Sequence, residues 1–234
     1  MRAIAIITAR GGSKRIPKKN IKFFLGKPII QYSIEAALAS KCFDEVMVST
    51  DDDEIMAIAI KCGAKVPFLR SKKNADDFST TTDVLVEVLN EYKKKGAEFK
   101  YACCLYPTAP FVTSDKLKDA FEKLASKNAS SVIPIVKFSS PILRSLKTEG
   151  EFIKLNWPEH LNSRSQDLPP SFHDAGQFYF FNVSDFLQSK KLFADKTIGI
   201  EMPELEVQDI DIEEDWKLAE IKYTFQLQKK KTKN

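Results

Sequence analysis

Three observations predict a doubly wound α/β fold built on a mostly parallel sheet. The apolar run Ala3 to Thr8 is continuous rather than alternating, as in a strand buried on both faces. Strand-like and helix-like segments then alternate along the first half of the chain, the order that βαβ units with right-handed crossovers produce. A length of 234 residues with 43% hydrophobic content suits one compact domain, residues 1–234, with a substantial core.

The elements follow in order. Pro28 opens a helix whose Ile30, Ile34, Ala37 and Leu38 recur at helical spacing. Glu45 to Ser49 reads as the second strand. Asp51, Asp52 and Asp53 open a helix, since carboxylates are favoured at its positive end, and Gly63 stops it. Val66 to Leu69 reads as a short strand, Thr82 to Lys95 as a helix and Tyr101 to Tyr106 as another buried strand. Ser114 to Ser126 is helical, and Ser131 to Val136 returns to strand. The rhythm breaks between Phe138 and Ser171, a stretch rich in Ser and Pro with β-like pieces such as Phe152 to Leu155. Residues 138–171 are therefore expected to form an excursion from the main sheet. Core-like strands resume at Gln177 to Phe181 and Thr197 to Ile200. Val207 to Ile212 leads into a last helix, Glu213 to Phe225, with Trp216, Ala219 and Tyr223 on one stripe.

Bulk properties narrow the function. Net charge is +4, and part of it sits in the tail Lys229 to Asn234, which reads as a frayed, solvated terminus. The rest is near neutral and no aromatic residues interleave with the tail charges, so no nucleic-acid partner is expected. Cys42, Cys62, Cys103 and Cys104 form no Cys-x-x-Cys, and only His160 and His173 accompany them, which argues against structural zinc. Reduced thiols, no leader and no membrane-length apolar segment point to a cytoplasmic protein with no membrane partner.

The chemistry concentrates after the first strand, in Ala9-Arg10-Gly11-Gly12-Ser13-Lys14-Arg15-Ile16-Pro17-Lys18-Lys19-Asn20. Two glycines leave the turn free to adopt positive φ and to expose N–H groups, and five cations surround it: Arg10, Lys14, Arg15, Lys18 and Lys19. Such a loop is either a solvated basic connection or a receptor for a polyanion. Its position favours the receptor, because ligands of open α/β sheets bind beyond the carboxyl ends of strands. It is neither a P-loop nor a dinucleotide fingerprint. Near the other end, Asp209 and Asp211 in Asp209-Ile210-Asp211-Ile212 would share one face of a strand, a pair suited to Mg²⁺ beside a triphosphate. Spacing alone leaves a helix cap at Asp211 equally open. Arg70 and the loop Asn74 to Thr82 lead into a helix, where at least one hydroxyl should act as the cap. Asp51 reads as a helix cap first and a site residue second.

The signature loop resembles that of the CMP-sialic acid synthetase family of sugar-activating cytidylyltransferases, whose first strand is followed by Ala-Arg-x-x-Ser-Lys-x-x-Pro-x-Lys-Asn; every fixed position matches. The resemblance runs from Ile4 to the last helix. It implies a Rossmann-like nucleotidyltransferase fold, CTP and a nonulosonic acid as substrates, Mg²⁺ as cofactor, and a homodimer made through the 138–171 excursion. Carried over residue by residue, it implies catalytic roles for Arg10, Lys14, Lys19 and Asp211, with Asp209 and Asp211 holding the metal. It places nucleotide contacts at Ala9, Arg10, Gly11, Gly12, Ser13, Asn20, Arg70, Ser79 and Thr81. It places acceptor contacts at Tyr106, Arg164, His173, Gln177 and Tyr179, with Arg164 of Arg164-Ser165-Gln166-Asp167-Leu168-Pro169 meeting the sugar carboxylate. Two departures, Tyr106-Pro107-Thr108-Ala109-Pro110-Phe111 and Phe172-His173-Asp174-Ala175-Gly176-Gln177, resemble the branch that acts on pseudaminic acid. An acceptor with a more apolar tail suits more aromatic surface, so Tyr106 and Phe111 are expected to favour it, with Gln177 or His173 reading its second acylamino group. Sialic or legionaminic acid as acceptor, and a catalytically silent nucleotide-binding module, are the alternatives.

Overall fold

A computed structural model describes residues 2–76 and 78–232. Strand β1, Ala3–Thr8, lies between β4, Glu45–Ser49, and β5, Tyr101–Leu105, parallel to both. Between β1 and β4 come a two-residue ribbon, β2 (Phe23–Phe24) with β3 (Lys27–Pro28), and helix α1, Ile29–Ser40. After β4 come α2, Asp53–Lys61, and α3, Thr81–Lys94, which returns the chain to β5. Helix α4, Ser114–Ser126, then leads to β6, Ser131–Lys137.

A hairpin of β7, Leu146–Glu149, and β8, Phe152–Leu155, stands apart from this sheet. The chain re-enters antiparallel as β9, Phe172–Asp174, and β10, Phe178–Asn182, which fills the gap between β5 and β6. Helix α5, Val183–Ser189, precedes β11, Thr197–Glu201, and α6, Glu213–Lys231, closes the chain. The strand order is β11-β6-β10-β5-β1-β4, with β9 also on β6. Only β9 and β10 oppose the common direction, so the mostly parallel α/β reading holds.

Three apolar clusters explain this arrangement. One face of the sheet buries Ile7, Val48, Cys103 and Phe180 against α1, α2 and α4; the other buries Ile6, Met47, Cys104 and Phe181 against α3 and α5. The third cluster matters most to the site. Ile16 of the signature loop, Phe111, Ile210 between the two aspartates, and Trp216 and Ala219 of α6 pack together. Burying these side chains, each worth roughly 1.5–3 kcal/mol when large, pins both ends of the chain at one place. Trp216 and Ala219 lie there with Tyr223 against them, as the stripe in the sequence predicts.

Four expectations change. Val66 to Leu69 is not a strand; Lys65 alone bridges Met47, and Pro67 then denies the ladder a donor. Residues 207–212 run without sheet pairing, so Asp209 and Asp211 are not placed by a strand. Phe111 is 2% exposed within the third cluster, packing that keeps it out of the cleft formed by the signature loop. The last helix continues past Phe225 to Lys231, so the basic tail begins as helix; Lys233 and Asn234 lie outside the described residues.

Candidate active site

A cleft of about 530 Å³ opens beside the carboxyl ends of β1 and β5. Arg10, Ser13, Lys14, Arg15, Lys19, Asn20 and Asp211 line it together with Arg70, Ser79, Thr81 and Tyr106. The loop after β1, the loop before α3 and the segment before α6 therefore converge, although about 200 residues separate the first from the last in the chain.

Close packing shapes the signature loop. A Cβ on Gly11 would lie 2.7 Å from an Asp52 carboxylate oxygen, so only glycine fits there. Neither Gly11 nor Gly12 takes a positive φ; in this loop Lys18 does, at 52°. The Gly11 N–H donates to Asp51 Oδ1 at 3.0 Å, and the Ser13 N–H donates to the Gly11 carbonyl at 2.9 Å. The turn thus presents cationic side chains to the cleft, while these two donors brace the loop itself. Ala9 is buried and donates to the Ser49 carbonyl. Asn20, also buried, donates from Nδ2 to the Arg10 carbonyl at 2.8 Å. Asp51 is not the helix cap: Asp52 Oδ1 accepts from the Ile55 N–H at 2.9 Å and does that work.

The opposite wall is the loop before α3. Thr80 caps the helix and Asp83 answers with its carboxylate, a full capping box, which leaves Thr81 and Ser79 to line the cleft. The Ser79 hydroxyl donates to the Lys73 carbonyl at 2.8 Å. Arg70 is 7% exposed and donates to Ser49 through Nε and Nη2, at 3.1 and 2.6 Å. Burial lowers its pKa and the charges of Asp51 and Glu87 oppose that, so Arg70 is a fixed cation in the cleft wall. Arg10 joins the walls by donating to the Asp76 carbonyl at 2.8 Å.

Lys19 reaches across to the other end of the chain. Its ammonium donates to the Ile210 carbonyl at 2.6 Å and lies 3.5 Å from Asp211 Oδ1. Arg15 meets the same carboxylate oxygen at 2.9 Å. That pair is exposed and contributes about 0–1 kcal/mol, so exchanging it for a ligand costs little. Asp211 does not cap α6; Asp215 Oδ2 instead accepts from the Asp211 and Ile212 N–H groups at 2.9 and 3.0 Å. Asp209 is exposed, yet the crowding of its carboxyl, followed by the charge of Asp211, raises its pKa against the opposing effect of Lys19. The two carboxylates are electrostatic neighbours without a strand to align them.

The acceptor-side residues divide. Tyr106 lines the cleft. Behind it Tyr179 packs edge-on, ring centroids 5.5 Å apart, and donates to Asp174 Oδ2 at 2.6 Å. Burial raises both phenols, so they stay protonated donors. His173 is exposed on β9 against Phe138, ring centroids 5.0 Å apart. Gln177 is 1% exposed and donates to the Glu206 carbonyl, so it does not reach the cleft. Arg164 also lies outside it, paired with Asp167 at 2.6 Å. Burial pushes the Cys104 thiol up to about 12 and Cys103 well above its usual value, which leaves neither as a nucleophile.

Comparison with known proteins agrees with this geometry. The cytidylyltransferase family profile matches residues 4–223. The chain belongs to the cytidylyltransferase family. Pseudaminic acid cytidylyltransferase of Campylobacter jejuni is 42% identical over 224 residues, which is 95% of this chain and 97% of that protein. The CMP-N,N'-diacetyllegionaminic acid synthase of Legionella pneumophila is 33% identical over 223 residues, 94% of this chain and 95% of that protein. A solved CMP:2-keto-3-deoxy-manno-octonic acid synthetase in complex with CTP superposes with a TM-score of 0.69 at 17% identity, covering 97% of this chain and 100% of that one; it shows a shared fold. As a family member the chain carries the signature loop intact. Among the described residues no helix is long and apolar enough to cross a membrane.

Sequence reasoning left several cleft residues unassigned. Asn74, Asp76, Val84 and Thr108 line it as well, and Asp51 braces the signature loop. Only position could have suggested the first four, since Thr108 lies just beyond a strand's carboxyl end, Asn74 and Asp76 in the loop before α3 and Val84 in its first turn.

Proposed function

We propose that this cytidylyltransferase transfers CMP from CTP to the anomeric hydroxyl of a nonulosonic acid, with pseudaminic acid as the preferred acceptor, and releases pyrophosphate. The observation that carries the reading is the gathering of Arg10, Lys14, Lys19 and Asp211 in one cleft with Arg70, Ser79 and Thr81. The cationic wall suits a triphosphate, and the polar wall suits cytosine and ribose. The anomeric oxygen attacks the α-phosphorus in line; that P–O bond forms as the bond to the β-phosphate breaks, and the hydroxyl proton passes toward Asp211. Arg10, Lys14 and Lys19 balance charge on the departing pyrophosphate. Little covalent work falls to the protein, so positioning and charge balance set the rate.

Asp209 and Asp211 fit Mg²⁺, which takes one or two carboxylates and completes its octahedron with phosphate and water oxygens. Burial of its carboxyl, and after it the charge of Asp211, raises the pKa of Asp209, and a dication would offset both. When bound, the metal would neutralise phosphate charge and make the attacking hydroxyl more acidic.

Acceptor choice tests the finer part of this reading. Tyr106 and exposed His173 remain the groups offered for it, now without Gln177 or Phe111. The specificity constant for pseudaminic acid should exceed that for N-acetylneuraminic acid by more than the roughly 10²-fold that an apolar wall supplies. Equal constants, or a preference for legionaminic acid, would replace the acceptor and leave CMP transfer in place.

We also propose a two-fold homodimer through residues 138–171. The hairpin exposes Leu146, Phe152 and Ile153, at 56%, 74% and 65%, an apolar surface that pairing would cover. Arg164 lies beyond that hairpin, so pairing would set it beside an acceptor pocket. Sedimentation at assay concentration should give a dimer; a fully active monomer would rule this out.

A further inference from the structure

Residues 204–212 carry the aspartate pair, yet no strand holds them. Side chains bind their carbonyls instead. Lys222 of α6 donates from its ammonium to the Glu204 and Val207 carbonyls at 3.1 and 2.9 Å. Gln226, one turn further on, donates to the Leu205 carbonyl at 2.8 Å. Gln177, from the turn entering β10, donates to the Glu206 carbonyl at 2.9 Å. Lys116 pairs with the Glu206 carboxylate at 2.8 Å. Four consecutive carbonyls are thus held from α6 and from the turn before β10.

The chemistry of the donors shows what this arrangement costs. Burying Gln177 leaves its Oε1 with no partner among the described residues, a cost of about 1–3 kcal/mol that an apolar side chain would avoid. Burial also lowers the pKa of Lys222. Next to Gln177, Gly176 at φ 62° lets the chain pass close to Asp209; a Cβ there would lie 3.7 Å from the Asp209 carboxyl carbon. The turn that supplies the Gln177 amide therefore also passes beside Asp209.

We propose that Lys222, Gln177 and Gln226 form a side-chain splint that positions Asp209 and Asp211 for the metal–nucleotide complex. None of the three touches a reacting atom. They are positioning residues, and Gln177 acts from behind the site rather than on the acceptor. The segment bears two like charges; Lys19 and Asp215 hold it at Ile210 to Ile212, and without donors upstream the Asp209 end would be free to swing away from Asp211. The splint keeps them as neighbours before the metal arrives, so its energetic contribution appears in metal affinity. The inference rests on the assignment of the aspartate pair to the metal.

The test uses full-length protein with Mn²⁺ and a non-hydrolysable CTP analogue, no acceptor, and free Mn²⁺ read by electron paramagnetic resonance. Wild type, Lys222→Met, Lys222→Arg, Gln177→Leu and Asp211→Ala are compared, with thermal melting of each. Lys222→Met and Gln177→Leu should weaken Mn²⁺ binding by about 10-fold, equivalent to about 1.4 kcal/mol, and Lys222→Arg should recover most of it. A purely structural role would lower the melting temperature and leave Mn²⁺ affinity in the folded protein unchanged, which would overturn the splint. If Asp211→Ala also leaves Mn²⁺ binding unchanged, the metal assignment fails with it. Where Lys222→Met does not fold, Gln177→Leu with Gln226→Leu decides the same question.

Discussion

Lys19→Ala is expected to lower turnover by at least ~100-fold in a protein that remains folded. The ammonium sits where three parts of the proposed site meet, bonded to the Ile210 carbonyl, 3.5 Å from Asp211 and open to the cleft. Deleting it leaves developing charge on the leaving phosphates unmatched, and loss of one such stabilising group typically costs 10²–10³-fold. It also removes the hydrogen bond to the Ile210 carbonyl, so Asp209 and Asp211 lose a nearby countercharge. The fold should persist because Ile16, Ile210 and Trp216 stay packed without it. Circular dichroism and a melting curve close to wild type, together with single-turnover rates, check both halves. Near-normal turnover would remove Lys19 from the chemistry.

The aspartates should differ in a defined way. Asp211→Ala should cost more activity than Asp209→Ala, since Asp211 lines the cleft beside Lys19 and Arg15 and is the carboxylate proposed to receive the hydroxyl proton. Both variants should raise the Mg²⁺ concentration for half-maximal rate. A pH effect follows from the raised pKa of Asp209. Metal-free Asp209 takes up a proton at a higher pH than an ordinary carboxylate, so the acid limb of Mg²⁺ binding should begin above the usual carboxylate range. Removing the charge in Asp211→Asn should move that limb to lower pH. Unchanged Mg²⁺ titrations in both alanine variants would make the pair structural.

The legible parts of this molecule were those with local signals. A continuous apolar run, a proline at a helix entry and a glycine at an exit write themselves into consecutive residues, and β1, α1 and α2 appear where those signals place them. The signature loop was legible for the same reason. What escaped depends on contacts distant in sequence. Gly11 is fixed by Asp52, about 40 residues away, rather than by its own φ. The alternation of Asp209, Ile210 and Asp211 imitates a strand, but Ile210 is buried against Trp216 and no neighbouring strand is within pairing reach. Gln177 looks like a recognition residue because it is polar beside aromatic residues; only the fold shows that it faces a backbone carbonyl. Phe111 carries the opposite lesson, an aromatic residue read as pocket wall that belongs to the core.

The reaction itself is most directly tested by following CTP and pseudaminic acid together by ³¹P nuclear magnetic resonance in the presence of Mg²⁺. Pyrophosphate should appear in equal amount with a new phosphodiester signal from the CMP-sugar, and only when enzyme, CTP and acceptor are all present. CTP that stays intact with every nonulosonic acid offered, or pyrophosphate released without acceptor, would contradict CMP transfer to a sugar acid.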